Sequence, residues 1–141
     1  DVSHKGFNWK KGVAIIPEKD FASTSGSDKD KWEKLSQNEK EKELYSFDKP
    51  GKEQTITQEM RQKGFDDYTT TDDHGMVITG TATDQNGNKY FIVKNSWGED
   101  ARNPYNGYFY ASYPFIQMQT INIIVHRDAI PKDIKKKLNI K

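Results

Sequence analysis

Two short stretches of the sequence carry side chains suited to proton transfer. One is Asp73-His74-Gly75-Met76 and the other is Lys94-Asn95-Ser96-Trp97-Gly98. An imidazole acts as a general base when one ring nitrogen faces the nucleophile and the N–H on the other nitrogen is held by an acceptor. The amide oxygen of Asn95 can be that acceptor for His74 without adding a charge. Trp97, close behind Asn95, can cover the hydrogen bond and strengthen it by excluding water. The chain has no cysteine. These residues therefore make the orienting half of a nucleophile–His–Asn arrangement whose nucleophile is absent. Taken singly, each has a plainer reading: His74 as a polar residue at a strand start, and Asn95 to Gly98 as a turn with an anchored aromatic.

The elements that must hold this pair read as a β-hairpin. Met76 to about Thr83 and Tyr90 to Val93 are apolar, β-branched and aromatic runs on either side of Asp84-Gln85-Asn86-Gly87-Asn88. Asn-Gly is the strongest short hairpin signal. If Asn86 and Gly87 are the two turn residues, Gln85 pairs with Asn88 and His74 falls opposite Glu99, a few residues beyond Asn95. A small register change or a bulge then brings the two side chains together.

Around the hairpin, the first half of the chain reads as helical and the second half as β. Phe7 and Trp9 lie on one face of an extended segment, and Val13 to Ile16 form a buried strand tip ended by Pro17. Residues 17 to 30 read as a loop. A surface helix is expected over 29 to 47, broken by a capping box of Ser36 and Glu39. A second helix runs from Thr55, as cap, to Lys63, with Gly64 closing it. Gly107 to Ala111 and Thr120 to His126 read as third and fourth strands, with a short helical or irregular turn at Tyr113 to Met118 between them. Pro131 to Leu138 reads as a terminal helix opened by its proline. The expected fold is α+β, a helical first half packed on a twisted antiparallel sheet or partial barrel.

Composition excludes several classes. Lys plus Arg number 22 against 21 Asp plus Glu, a net charge of +1, with no basic stripe for nucleic acid. Lys135-Lys136-Lys137 is the solvated end of a helix. Without cysteine there is no disulfide framework and no thiolate metal site within the chain. Asp72-Asp73-His74 does not form a metal cluster, because adjacent residues on an extended chain point to opposite faces. No apolar run approaches the length of a membrane span. His4 and His126 lack comparable partners and read as structural. The chain begins at Asp1 without Met, so it is expected to be a fragment or a processed product.

With these residues in view, a family resemblance follows. His74-Gly75-Met76, then Tyr90-Phe91-Ile92-Val93-Lys94-Asn95-Ser96-Trp97-Gly98-Glu99, then Asn106-Gly107-Tyr108-Phe109 resembles the C-terminal half of papain-like cysteine peptidases. Asp1-Val2-Ser3 before a Gly-Phe segment, His74-Gly75-Met76, and Val125-His126-Arg127-Asp128-Ala129-Ile130-Pro131 are most similar to the bleomycin hydrolase and aminopeptidase C branch. Gly75 stands where that branch usually has Ala.

The resemblance implies that residues 1–141 are the C-terminal portion of a peptidase domain. Residues 1–73 would be a strand plus a helical insertion, and residues 74–141 the antiparallel part with its terminal helix. It implies His74 as general base, Asn95 as its orienting residue, Trp97 as the shield, and Asp73 and Gly75 near the substrate cleft. The nucleophilic Cys and the oxyanion-hole Gln would belong to an N-terminal half of the same enzyme. The partners implied are that half, a peptide substrate and further copies of the enzyme in a homo-oligomer. No cofactor, metal, nucleic acid or membrane is implied, and the branch suggests the cytoplasm. The chain alone is expected to be inactive. The competing reading is a non-catalytic, peptidase-like module kept for binding or assembly.

Overall fold

The computed structural model describes residues 1–18, 32–48, 50–98 and 102–140. Its centre is β5, Tyr108–Ser112, a strand whose side chains are half-buried or buried throughout. Phe109 and Ala111 point into the core with Ala14, Ile16, Val93 and Phe115. Five strands form one open sheet in the order β1-β2-β5-β4-β3, where β1 is Phe7–Asn8, β2 is Val13–Ala14, β3 is Val77–Thr83 and β4 is Lys89–Lys94.

The α+β class holds, with two corrections. The sheet is mixed rather than antiparallel, because β2 pairs parallel with β5. The order is not helices first, since β1 and β2 precede every described helix. Both follow from the same path. The chain lays down the β1–β2 hairpin, leaves for its helices, and returns through β3 and β4 before β5 fills the place beside β2. Glu53 secures that junction. Its carboxylate accepts the Ile16 N–H at 2.8 Å and the Ser112 hydroxyl. Burial pushes the Glu53 carboxyl up, against the opposing hydrogen bonds from Ser112 and Ile16.

The helices lie where capping residues start them. The helix α1, Gln37–Leu44, opens with the expected box: the Ser36 side chain accepts from the Glu39 N–H, and the Glu39 carboxylate accepts the Ser36 N–H at 2.8 Å. The earlier part of that expected helix, residues 29–31, and most of the expected loop at 17–30 lie outside the described residues. Helix α2 is Gln58–Asp66, later than expected, because Thr57 rather than Thr55 caps it through the Met60 N–H. Gly64 lies inside α2 instead of ending it. A Cβ there would come within 3.0 Å of Thr70 Oγ1 and 3.1 Å of Met118 Cε, so the glycine serves close packing against helix α3, Tyr113–Gln119. Ser112 caps α3 through the Phe115 N–H. Helix α4 is Lys132–Lys137, with Pro131 at its cap position.

One expected strand is absent. Thr120 to His126 is irregular, with Ile124 97% exposed. Its β-branched composition favours extended chain, but a strand needs hydrogen-bonding neighbours. No described strand pairs with this segment.

Candidate active site

The site is built at the open end of the β3–β4 hairpin, and the turn sets its register. The Asp84 N–H donates to the Asn88 carbonyl at 3.0 Å, and the Gly87 N–H donates to the Asp84 carbonyl at 3.1 Å. Gly87 has φ +84. This is a three-residue loop of Gln85, Asn86 and Gly87, with glycine in the left-handed position, rather than a two-residue Asn-Gly turn. The Asp84 carboxylate fixes the loop by accepting the N–H groups of Asn86 and Asn88 at 2.8 and 2.9 Å. The longer loop moves the pairing by one residue. A register shift between Ile78 and Gly80 moves it by one more, so that Val77 faces Lys94. Extended along the chain, these shifts move the residue opposite His74 from Glu99 to Trp97, toward Asn95.

His74 and Asn95 meet, with His74 Nε2 2.8 Å from Asn95 Oδ1. The Asn95 backbone is tied down by its N–H, which donates to the Gly107 carbonyl at 2.9 Å. Its side chain is 4% exposed. The Ser96 N–H donates to the same Oδ1 at 2.7 Å. An N–H can point only at an acceptor, so the atom facing both Ser96 and His74 is the amide oxygen. The His74 Nε2 therefore donates, and in the neutral ring Nδ1 carries the lone pair. The Asn95 Nδ2 is buried with no hydrogen-bond partner among the described residues.

Trp97 lies against His74, with ring centroids 5.4 Å apart and planes at 32°. Behind it stand Trp9 at 5.0 Å and Phe7 at 6.1 Å, both edge-to-face. Their alternate spacing in the sequence is that of one strand face, but nothing local in it indicates that Trp97 is what they meet.

The two remaining sequence candidates divide. Gly75 is exposed, a Cβ there would meet nothing within 4 Å, and with His74 and Met76 it lines a groove of about 670 Å³ that also includes Ile116, Ile121 and Ile123. Asp73 is instead committed to the first residues of the chain. Its carboxylate accepts the Val2 N–H at 2.9 Å, the Ser3 N–H at 3.1 Å and the Ser3 hydroxyl at 2.7 Å. The Asp1 carboxylate reciprocates by accepting the Thr71 N–H at 2.8 Å. These contacts fasten the residues that lead into His74.

Desolvation pushes the Asp73 carboxyl up, but the hydrogen bonds from Ser3 and Val2 outweigh it, and the group sits below its ordinary value. A carboxyl depressed in the folded state is more easily protonated in the unfolded chain. Its stabilisation is present above the ordinary carboxylate range and is lost as pH falls through the folded value. Thermal unfolding between pH 6 and pH 2 is therefore expected to show a weaker acid dependence in Asp73→Asn than in the parent. Equal slopes would show that the clamp does not contribute.

The other histidines have local partners. His4 Nδ1 accepts the Gly6 N–H at 2.9 Å, and His126 Nδ1 accepts the Asp128 N–H at 3.3 Å at the start of the 3-10 turn Arg127–Ala129.

The structure thus holds a hairpin-borne His–Asn pair under a tryptophan, at one end of a mixed sheet. The family model described as the Peptidase C1-like family matches residues 22–141. The chain belongs to that family, and aminopeptidases C are among the relatives it resembles over part of its length. Aminopeptidase C of Listeria innocua is 38% identical over 61 residues, which are 43% of this chain and 13% of that protein. Aminopeptidase C of Lactococcus lactis subsp. cremoris is also 38% identical over 61 residues, 43% of this chain and 14% of that protein. Thiol protease SEN102 of Hemerocallis sp. is 57% identical over 28 residues, 20% of this chain and 8% of that protein. The matched segments thus span well under two thirds of these relatives.

Proposed function

We propose that this chain supplies the His and Asn of a Cys-His-Asn site for peptide-bond hydrolysis, within a longer aminopeptidase of the C1-like family. The observation that carries the proposal is the single Asn95 oxygen receiving both the His74 Nε2 proton and the Ser96 N–H, at 2.8 and 2.7 Å. That arrangement leaves His74 Nδ1 as the nitrogen available to a nucleophile.

In this reading the nucleophilic Cys and the oxyanion Gln come from an N-terminal half of the same enzyme. His74 takes the thiol proton. The thiolate attacks the peptide carbonyl, and the imidazolium gives its proton to the leaving amine. His74 then takes a proton from water as that water attacks the thioester, and the proton returns to the departing thiolate. Asn95 keeps Nε2 protonated and the ring aimed throughout. Trp97 keeps water from their hydrogen bond. Asp73 contributes by fastening the chain before His74 rather than by touching substrate, and Gly75 lies on the rim of the cleft.

The presence of His74, Asn95 and Trp97 together favours this over a non-catalytic module, which has no use for an oriented imidazole. The chain by itself has no thiol. Purified 141-residue material is expected to release no amine from an aminoacyl amide, whereas the complete polypeptide does so and is blocked by a thiol-alkylating reagent. Turnover by the isolated chain would sink the proposal.

A further inference from the structure

We propose that Trp9 is a positioning residue for the His74–Asn95 pair, acting through Trp97. The inference rests on the reading of that pair as the orienting half of a peptidase site.

Trp97 is 46% exposed, and the next residue, Gly98, has φ +82 and offers no side chain to pack against. Among the described residues, the rings that meet the indole besides His74 come from the far end of the sequence. Trp9 meets it at 5.0 Å and 77°, the closer of the two supports, and Phe7 meets it at 6.1 Å and 75°. Both supports lean in turn on Phe109, at 6.3 Å and 5.1 Å, and Phe109 is 1% exposed. The result is a relay of rings from the core of β5 to the imidazole, with edge-to-face contacts at every step up to Trp97.

Trp9 is itself held by its backbone. Its carbonyl accepts the Gly12 N–H at 3.1 Å and the Asn103 Nδ2 at 2.9 Å. Gly12 has φ +67, and a Cβ there would lie 2.3 Å from the Tyr105 ring. The turn that presents Trp9 is thus clasped by the loop that leads from the site to β5.

Removing the Trp9 ring opens a space beside Trp97. The indole can then leave the His74 face, and water reaches an amide whose Nδ2 has no hydrogen-bond partner among the described residues. Water competing at Asn95 loosens the acceptor that holds the imidazole.

The test is the solvent-exchange rate of the His74 Nε2 proton, read by NMR in the ¹⁵N-labelled complete polypeptide. In Trp9→Ala the rate is expected to rise about tenfold, and in Trp9→Phe, which keeps an aromatic edge, it should stay within about threefold of the parent. Should Trp9→Ala fail to fold, Trp9→Leu keeps apolar volume without an aromatic edge and carries the same expectation. Met118→Ala, which empties the α2–α3 contact at Gly64, serves as the control for general destabilisation and is expected to leave the rate unchanged. Parent-like exchange in Trp9→Ala or Trp9→Leu overturns the inference alone, as does equal acceleration in Met118→Ala. If the parent shows no proton on Nε2, the reading of the site fails, and this inference fails with it.

Discussion

His74→Ala, made in the complete enzyme, is expected to lower kcat/KM by about 10⁴-fold or more, with the protein still folded. The imidazole has two tasks in the proposed cycle: it receives the thiol proton and returns it to the leaving amine. No described side chain near it can replace it. Asp73 is occupied by Val2 and Ser3. Asn95 does not titrate. The ring is half-buried at the rim of a groove, and its only side-chain hydrogen bond among the described residues is to Asn95. Truncation therefore removes chemistry without emptying the core. Parent-like activity in His74→Ala would show that another group is the base.

The second large effect is expected at Asn95. Asn95→Ala removes the oxygen that receives the His74 Nε2 proton but leaves the base itself, so kcat is expected to fall by about 10²-fold, less than for His74→Ala, with a smaller change in KM. The loss comes from the wrong tautomer and a wandering ring. Two features make Asn95 more than a spacer. It is 4% exposed, and its oxygen is aimed by the Ser96 N–H even before the imidazole arrives. A loss as large as that of His74→Ala would mean that the amide does more than orient. No loss would mean that the ring is held by something else.

The candidate site was legible in the sequence because its parts are local. His74 and Asn95 belong to one hairpin, and turn residues announce that hairpin. The error was confined to the loop: Gly87 takes the left-handed position of a three-residue loop, and only the structure shows the further slip between Ile78 and Gly80. Both shifts act in the same direction and produce the contact that the simple two-residue turn left short.

What was not legible depends on contacts distant in sequence. The parallel pairing of β2 with β5 joins Val13 to Tyr110 and carries no local signature. Gly64 has the sequence position of a helix stop, yet it is selected by the approach of Thr70 and Met118. Asp73 next to a histidine suggests a cleft residue, whereas its partners are Val2 and Ser3. The run from Thr120 to His126 has the composition of a strand, but composition cannot supply the neighbour that a strand requires. The support of Trp97 by Trp9 belongs to the same class, since the two rings meet across most of the chain.

The central claim is that Asn95 holds the His74 imidazole with its proton on Nε2. The most direct measurement is the ¹⁵N chemical-shift pair of the His74 ring in the 141-residue chain, recorded above the pH at which the ring titrates. The account predicts a protonated Nε2 and an unprotonated Nδ1, with this single tautomer giving way to a mixture in Asn95→Ala. A proton on Nδ1 in the parent, or the same tautomer with and without the Asn95 amide, would contradict it.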